Sequence, residues 1–205
     1  MFCSECKCEF VGWSDRCPCC SLPLIEKIEP DSRVIGKSVP YETLVDLVVK
    51  QGGRMDIEMW TTEVNRQKKL AFPYLGYGYA WVKRMHGSVN GIPIDIQTTE
   101  VGMDKTWRFP YQGYGFAWEK KMQGEFGGNQ ITLTAVKVAR EKKWGFPYLG
   151  YGYAWTEEFF GECGANLKAV LLPTEISREK GWIFPYFAFG YAWAGKGTLR
   201  LSIIE

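Results

Sequence analysis

The chain has 205 residues, 46% of them hydrophobic and 16% aromatic, with a formal net charge of +2. That length holds one ample core plus a small appended module, and so slight a net charge argues neither for nor against nucleic acid, leaving local placement of charge to decide. The N-terminus, Met1-Phe2-Cys3-Ser4-Glu5-Cys6, lacks the basic and apolar regions of a signal peptide. The longest nearly uncharged run, 181–195, is too short for a membrane-spanning helix and is broken by Pro185 and Gly190. A soluble, cytoplasmic protein is expected.

Six of the seven cysteines lie within the first 20 residues. Cys3-x-x-Cys6 and Cys17-x-x-Cys20 form two knuckles, each able to offer two thiolates to a tetrahedral zinc. This stretch resembles the zinc-ribbon family, which implies Zn held by Cys3, Cys6, Cys17 and Cys20 in a module covering residues 1–25. So small a module has too little core to fold without metal, so the zinc is expected to be structural. Cys8 and Cys19 are surplus to that set, and local disulfides or an iron–sulfur cluster remain open. Cys163 has no histidine near it in sequence and reads as a bystander.

Residues 26–53 read as a polar linker followed by a helix. The helix is expected over 41–50, with Pro40 ahead of it, Glu42 early, Lys50 late and Gly52-Gly53 stopping it. Its apolar set Tyr41, Leu44, Val45, Leu47 and Val48 wraps more than one narrow stripe, which predicts burial on most sides, beside or plugging a sheet.

From residue 54 the chain is a tandem repeat. Four aromatic segments, 72–81, 109–118, 146–155 and 184–193, follow the pattern Phe-Pro-Tyr-x-Gly/Ala-aromatic-Gly-aromatic-Ala-Trp, their leading phenylalanines 37, 37 and 38 residues apart. A period that regular marks a supersecondary unit that buries a face against copies of itself. Plainer strands precede them at 56–61, 92–98, 130–136 and 166–172, and a fifth copy, 198–203, ends the domain. Charged stretches at 65–69, 102–106, 139–143 and 177–181 read as turns between plain and aromatic strands.

Side chains alternate along a strand, so Tyr77, Tyr79 and Trp81 share one face while Gly76, Gly78 and Ala80 share the other, and every copy repeats this. The expected fold is mainly β. It is a pseudo-symmetric antiparallel barrel or cup of four hairpins plus a final strand over 54–205, with the helix central or capping. Closure would remove exposed edges. Radially repeated Gly-aromatic hairpins of this kind resemble the β-flower fold, itself similar to the tubby C-terminal domain and scramblase-like barrels. The tubby-like resemblance implies contact with apolar or phosphoinositide lipid.

All four charged turns should emerge at one end, gathering Arg66, Lys68, Lys69, Lys105, Arg140, Lys142, Lys143, Arg178 and Lys180 against Asp104, Glu141 and Glu179. Such a ring suits a phosphate headgroup or an anionic membrane surface, or else is simply solvated. Arg66, Lys68, Lys105, Arg140, Lys142, Arg178 and Lys180 are the candidate anionic-surface residues. Tyr77, Tyr114, Tyr151 and the tryptophans Trp81, Trp118, Trp155 and Trp193 are either core or the lining of an apolar pocket. A second set, Trp107, Trp144 and Trp182 with Leu70 in the first copy, sits beside the basic stretches as interfacial anchors do.

His86, the sole histidine, is the one general acid–base candidate and reads as a loop surface residue. Glu63, Glu100 and Glu175 align with Lys137, which argues against a shared acidic site. No catalytic constellation stands out. The expectation is a non-enzymatic module binding an apolar or lipid-like ligand or an anionic membrane surface. The alternative is an interaction scaffold acting through the ribbon on a protein partner, or less readily on nucleic acid.

Overall fold

The computed structural model describes residues 38–71, 75–108, 112–145, 149–183 and 187–204. The cysteine module expected over 1–25, and the zinc site expected within it, lie outside them. The described chain is one helix, α1 (Tyr41–Lys50), followed by eight strands: β1 (Arg54–Ala71), β2 (Leu75–Val89), β3 (Ile92–Arg108), β4 (Gln112–Phe126), β5 (Asn129–Gly145), β6 (Leu149–Cys163), β7 (Leu167–Ile183) and β8 (Phe187–Ile203). They form a closed antiparallel barrel in chain order, with β8 pairing back onto β1.

Two expectations about the strands are corrected. The charged stretches are not turns: Asn65, Arg66, Gln67, Lys68 and Lys69 pair in register with Trp81, Ala80, Tyr79, Gly78 and Tyr77, and the other copies do the same. In the first hairpin the strand pairing runs on to Ala71 and Leu75, and in the others to Arg108 and Gln112, Gly145 and Leu149, and Ile183 and Phe187. Residues 198–203 are not a ninth strand either; they continue β8, and the even count allows wholly antiparallel closure.

Pairing between consecutive hairpins is confined to the α1 end. There β2 meets β3 over Arg84–Val89 and Ile92–Gln97, and β4 meets β5 over Lys121–Phe126 and Asn129–Thr134. The seams β6–β7 and β8–β1 are similarly short. This lower barrel is filled chiefly by inward aliphatic and thioether side chains, among them Met59, Met85, Ile96, Met122, Leu133, Leu171 and Leu199, together with Phe126 and Phe159. Its tight reversals carry the left-handed residues Asn90-Gly91, Gly127-Gly128 and Gly164.

Helix α1 closes the lower mouth. Leu44 and Val48, one turn apart, are completely buried in the barrel core, while Val49 is 53% exposed. The helix is therefore amphipathic rather than buried on most sides. It is fastened by Val39 N–H to Gly127 O at 2.9 Å and by the Tyr41 hydroxyl, which accepts from Asn166 N–H at 2.6 Å.

Above the lower barrel every hairpin shifts register at the same point, at Glu63, Glu100, Lys137 and Glu175. Beyond these bulges each hairpin runs on as a separate two-stranded arm (arm 1 is β1–β2, arm 2 β3–β4, arm 3 β5–β6, arm 4 β7–β8). Bulges bend and twist a strand, which here turns four hairpins out of the cylinder together.

Candidate functional site

The arms close a second ring by a different principle. Each arm has an aromatic face and a small-residue face, and the small face of one lies on the aromatic face of the arm before it. Ala117 of arm 2 packs with Tyr77, Tyr79 and Trp81 of arm 1, Ala154 of arm 3 with Tyr114 and Phe116 of arm 2, and Ala80 of arm 1 with Phe189 and Tyr191 of arm 4. The glycines are needed for this approach. A Cβ on Gly115 would lie 2.9 Å from both Gly78 O and Tyr77 Cβ, and one on Gly190 would lie 3.0 Å from Gly152 O.

Tyr77 and Tyr79 do share a side, stacked with centroids 6.4 Å apart. The expected pocket-lining rings are thus placed between arms: Tyr77 is 5%, Trp81 7% and Tyr114 1% exposed. Tyr151, Trp118, Trp155 and Trp193 are half-buried at the arm edges. Burial pushes the phenols of Tyr77, Tyr114 and Tyr153 above their ordinary value.

The seams between arms carry a repeated clasp. Arg66 of arm 1 reaches Glu179 of arm 4 at 3.1 Å and lies over the Trp193 ring at 4.9 Å. Arg140 of arm 3 does the same to Asp104 and Trp118 of arm 2, and Arg178 of arm 4 to Glu141 and Trp155 of arm 3. At the seam between arms 1 and 2 the corresponding residues are Gln67 and Met103, so the acid and the arginine are replaced together. Each exposed ion pair contributes at most about 1 kcal/mol, with a similar amount from the cation–π contact.

The seven candidate cations therefore divide. Arg66, Arg140 and Arg178 are committed to clasps. Lys142 rests over Tyr114 at 5.4 Å, and Lys180 lies over Tyr151 and Trp182, each at 5.0 Å. Lys68, Lys105, Lys142 and Lys180 hold equivalent places on the four arms, are exposed, and have no acidic partner among the described residues.

Two residues further along the same face of each outer strand, toward the tip, stand Leu70, Trp107, Trp144 and Trp182, which are 60%, 53%, 63% and 57% exposed. Hairpin topology puts all four tips at the end opposite α1. The tip end is thus a crown in which each arm offers one lysine and one large apolar side chain, with Lys69 and Arg108 adding charge while Lys143 is paired with Glu141.

Elsewhere the chemistry is structural. Glu119 is 3% exposed where the four inner strands converge, and its Oε1 accepts from Val82 N–H at 2.5 Å. Burial drives its carboxyl above the ordinary value against the hydrogen bonds that favour the anion. Sequence reading passed over it, although it is the one carboxylate among Val82, Thr156 and Ala194 at matching repeat positions.

Cys163 is fully buried in the lower core and its thiol is pushed up to about 11, which keeps it unreactive. His86 is in strand β2 rather than a loop, between Trp60 and Asp95, with Nδ1 3.6 Å from the Asp95 carboxylate.

Glu63, Glu100 and Glu175 each bind a lysine of the partner strand, and the third arm reverses the signs as Lys137–Glu157 at 2.9 Å. Among the described residues no group of three or more His, Cys, Asp or Glu side chains is placed to hold a metal, and no helix is long and apolar enough to cross a membrane. No protein-family model, curated protein or solved structure matches this chain.

Proposed function

We propose that this barrel is a non-enzymatic binding module that docks its hairpin tips on an anionic membrane surface. The observation that carries the reading is the crown: exposed Leu70, Trp107, Trp144 and Trp182, each two residues from an exposed lysine, repeated on four arms at one end. Tryptophan prefers the boundary between headgroups and acyl chains, and each lysine near a negatively charged surface contributes about 1 kcal/mol. The inner aromatics Tyr77, Tyr114, Tyr151, Trp81, Trp118, Trp155 and Trp193 serve this function by stiffening the arms. The likeness to β-flower and tubby-type barrels belongs to the same proposal.

Co-flotation of the full chain with phosphatidylcholine vesicles, with and without phosphatidylserine, tests it. Binding is expected to the anionic vesicles, weakened by salt. Replacing Trp107, Trp144 and Trp182 with serine should abolish it while the thermal midpoint holds. No flotation with either vesicle, or flotation indifferent to those changes, overturns the reading.

The N-terminal thiolates Cys3, Cys6, Cys17 and Cys20 are proposed to hold one structural Zn, a donor set that suits this metal. Elemental analysis giving no zinc in protein purified under reducing conditions would refute that assignment.

A further inference from the structure

Four copies of one unit provide internal controls, and one seam departs from the rest at several places together. Between arms 3 and 4, at the level of the bulges, there is an open cleft of about 480 Å³ with an apolar wall of Trp155, Leu172, Pro173 and Ile176. Its polar side is Lys137, Glu157 and Glu158.

Three observations distinguish this place from its counterparts. At Pro173 the repeat elsewhere has Thr61 and Thr98, whose hydroxyls donate across the seam to Ala194 O and Val82 O, each at 2.5 Å. The third seam replaces that bond by Thr156 Oγ1 donating to Glu119 O at 2.8 Å. Proline has no hydroxyl, so the seam between arms 3 and 4 lacks this stitch.

The charge is also inverted. Arms 1 and 2 set one glutamate, Glu63 or Glu100, against two cations, Lys83-Arg84 or Lys120-Lys121, whereas arm 3 sets Lys137 against Glu157 and Glu158. Lys137 forms its ion pair with Glu157 at 2.9 Å; Glu158, its register partner, acts on it only through space and has no ion pair among the described residues.

We propose that this cleft binds an amphipathic organic cation, an ammonium group carrying an aromatic or short alkyl part. The ammonium would sit against Glu158, with Glu157 close by, and the apolar part would lie on Trp155, Pro173, Leu172 and Ile176. A carboxylate beside an apolar wall favours a cation with a hydrophobic tail over a neutral or anionic isostere, and the sequence puts that pairing at one seam of four. This site is independent of the crown and does not rest on membrane binding.

The test is a titration of the full chain followed by the nine tryptophan indole N–H resonances, with Trp155 assigned through Trp155→Phe. The probes are 2-phenylethylammonium, the neutral 2-phenylethanol and the anion 3-phenylpropanoate. A saturable shift at Trp155 is expected with the ammonium, at least about fivefold tighter than with either isostere, as expected for one exposed charge contact. Glu158→Lys restores the sign found at Arg84, Lys121 and Lys196, and should lower the ammonium's affinity by about the same factor or more. Equal affinity for the three probes, absence of a saturable shift at Trp155, or binding unchanged in Glu158→Lys overturns the proposal.

Discussion

The same eight strands bury their side chains in two ways. In the lower barrel large inward residues such as Met59, Leu133 and Leu199 meet across a cylinder stoppered by α1. In the arms the inner strands draw so close that one face has to be glycine and alanine, and the rings of the preceding arm cover it. Volume holds the first region and the absence of volume holds the second. The two should fail differently when a methylene is removed or added.

The sharpest contrast comes from opposite changes. Leu133→Ala, at a completely buried site of the lower barrel, is expected to cost about 2–5 kcal/mol in denaturant unfolding. In the arms the damaging change is an addition. Gly115→Ala, whose Cβ would lie 2.9 Å from the Gly78 carbonyl, should cost about 1–3 kcal/mol. Gly181→Ala is the control, since the nearest atom to its Cβ would be at 3.6 Å; it should be neutral or slightly stabilising. If both glycine changes prove equally harmless, the arms are not packed by backbone approach.

Glu119 sharpens the comparison at the boundary between the regions. Its folded-state pKa is raised, so the unfolded chain ionises first and stability falls as pH rises above the ordinary carboxyl value of 4.5. Glu119→Gln keeps an acceptor for Val82 N–H and should remove that decline, which for one group is at most about 1.4 kcal/mol per pH unit. Parallel stability curves for the two proteins as the pH rises from the ordinary carboxyl value toward neutrality would show that the carboxyl is not held neutral.

The smallest effect concerns the seam without a clasp. Installing one with Gln67→Glu and Met103→Arg should add about 0.5–1 kcal/mol, and each single change less, as a double-mutant cycle would report. Strict additivity would mean that the arginine clasps elsewhere are incidental.

Much of this organisation was legible in the chain. The 37-residue period, the helix over 41–50 and the sorting of Tyr77, Tyr79 and Trp81 from Gly76, Gly78 and Ala80 carry over directly, because strand alternation is local geometry. The turns were misread because charge usually signals solvent-exposed loops. Here the outer strands stay solvated along one edge, and their ladder hydrogen bonds come from an aromatic partner. Strands of 15–18 residues also exceed the usual length, which favours cutting them in two. The tryptophans beside the basic stretch were visible as possible anchors. Which aromatic set was exposed was not, because that depends on the small faces lying on neighbouring arms.

The missing clasp has one further implication. Within an arm, the Lys137–Glu157 reversal shows that a unit can rewrite its own pairing without consulting its neighbours. Between arms that freedom is gone. Arm 1 has Gln67 where the others carry an acid, so it must be followed by the arm that has Met103 where the others carry an arginine. A shuffled chain would set an arginine against Gln67 and strand an acid opposite Met103. The near-identical modules are therefore addressed, and the address is written in which of them cannot hold hands.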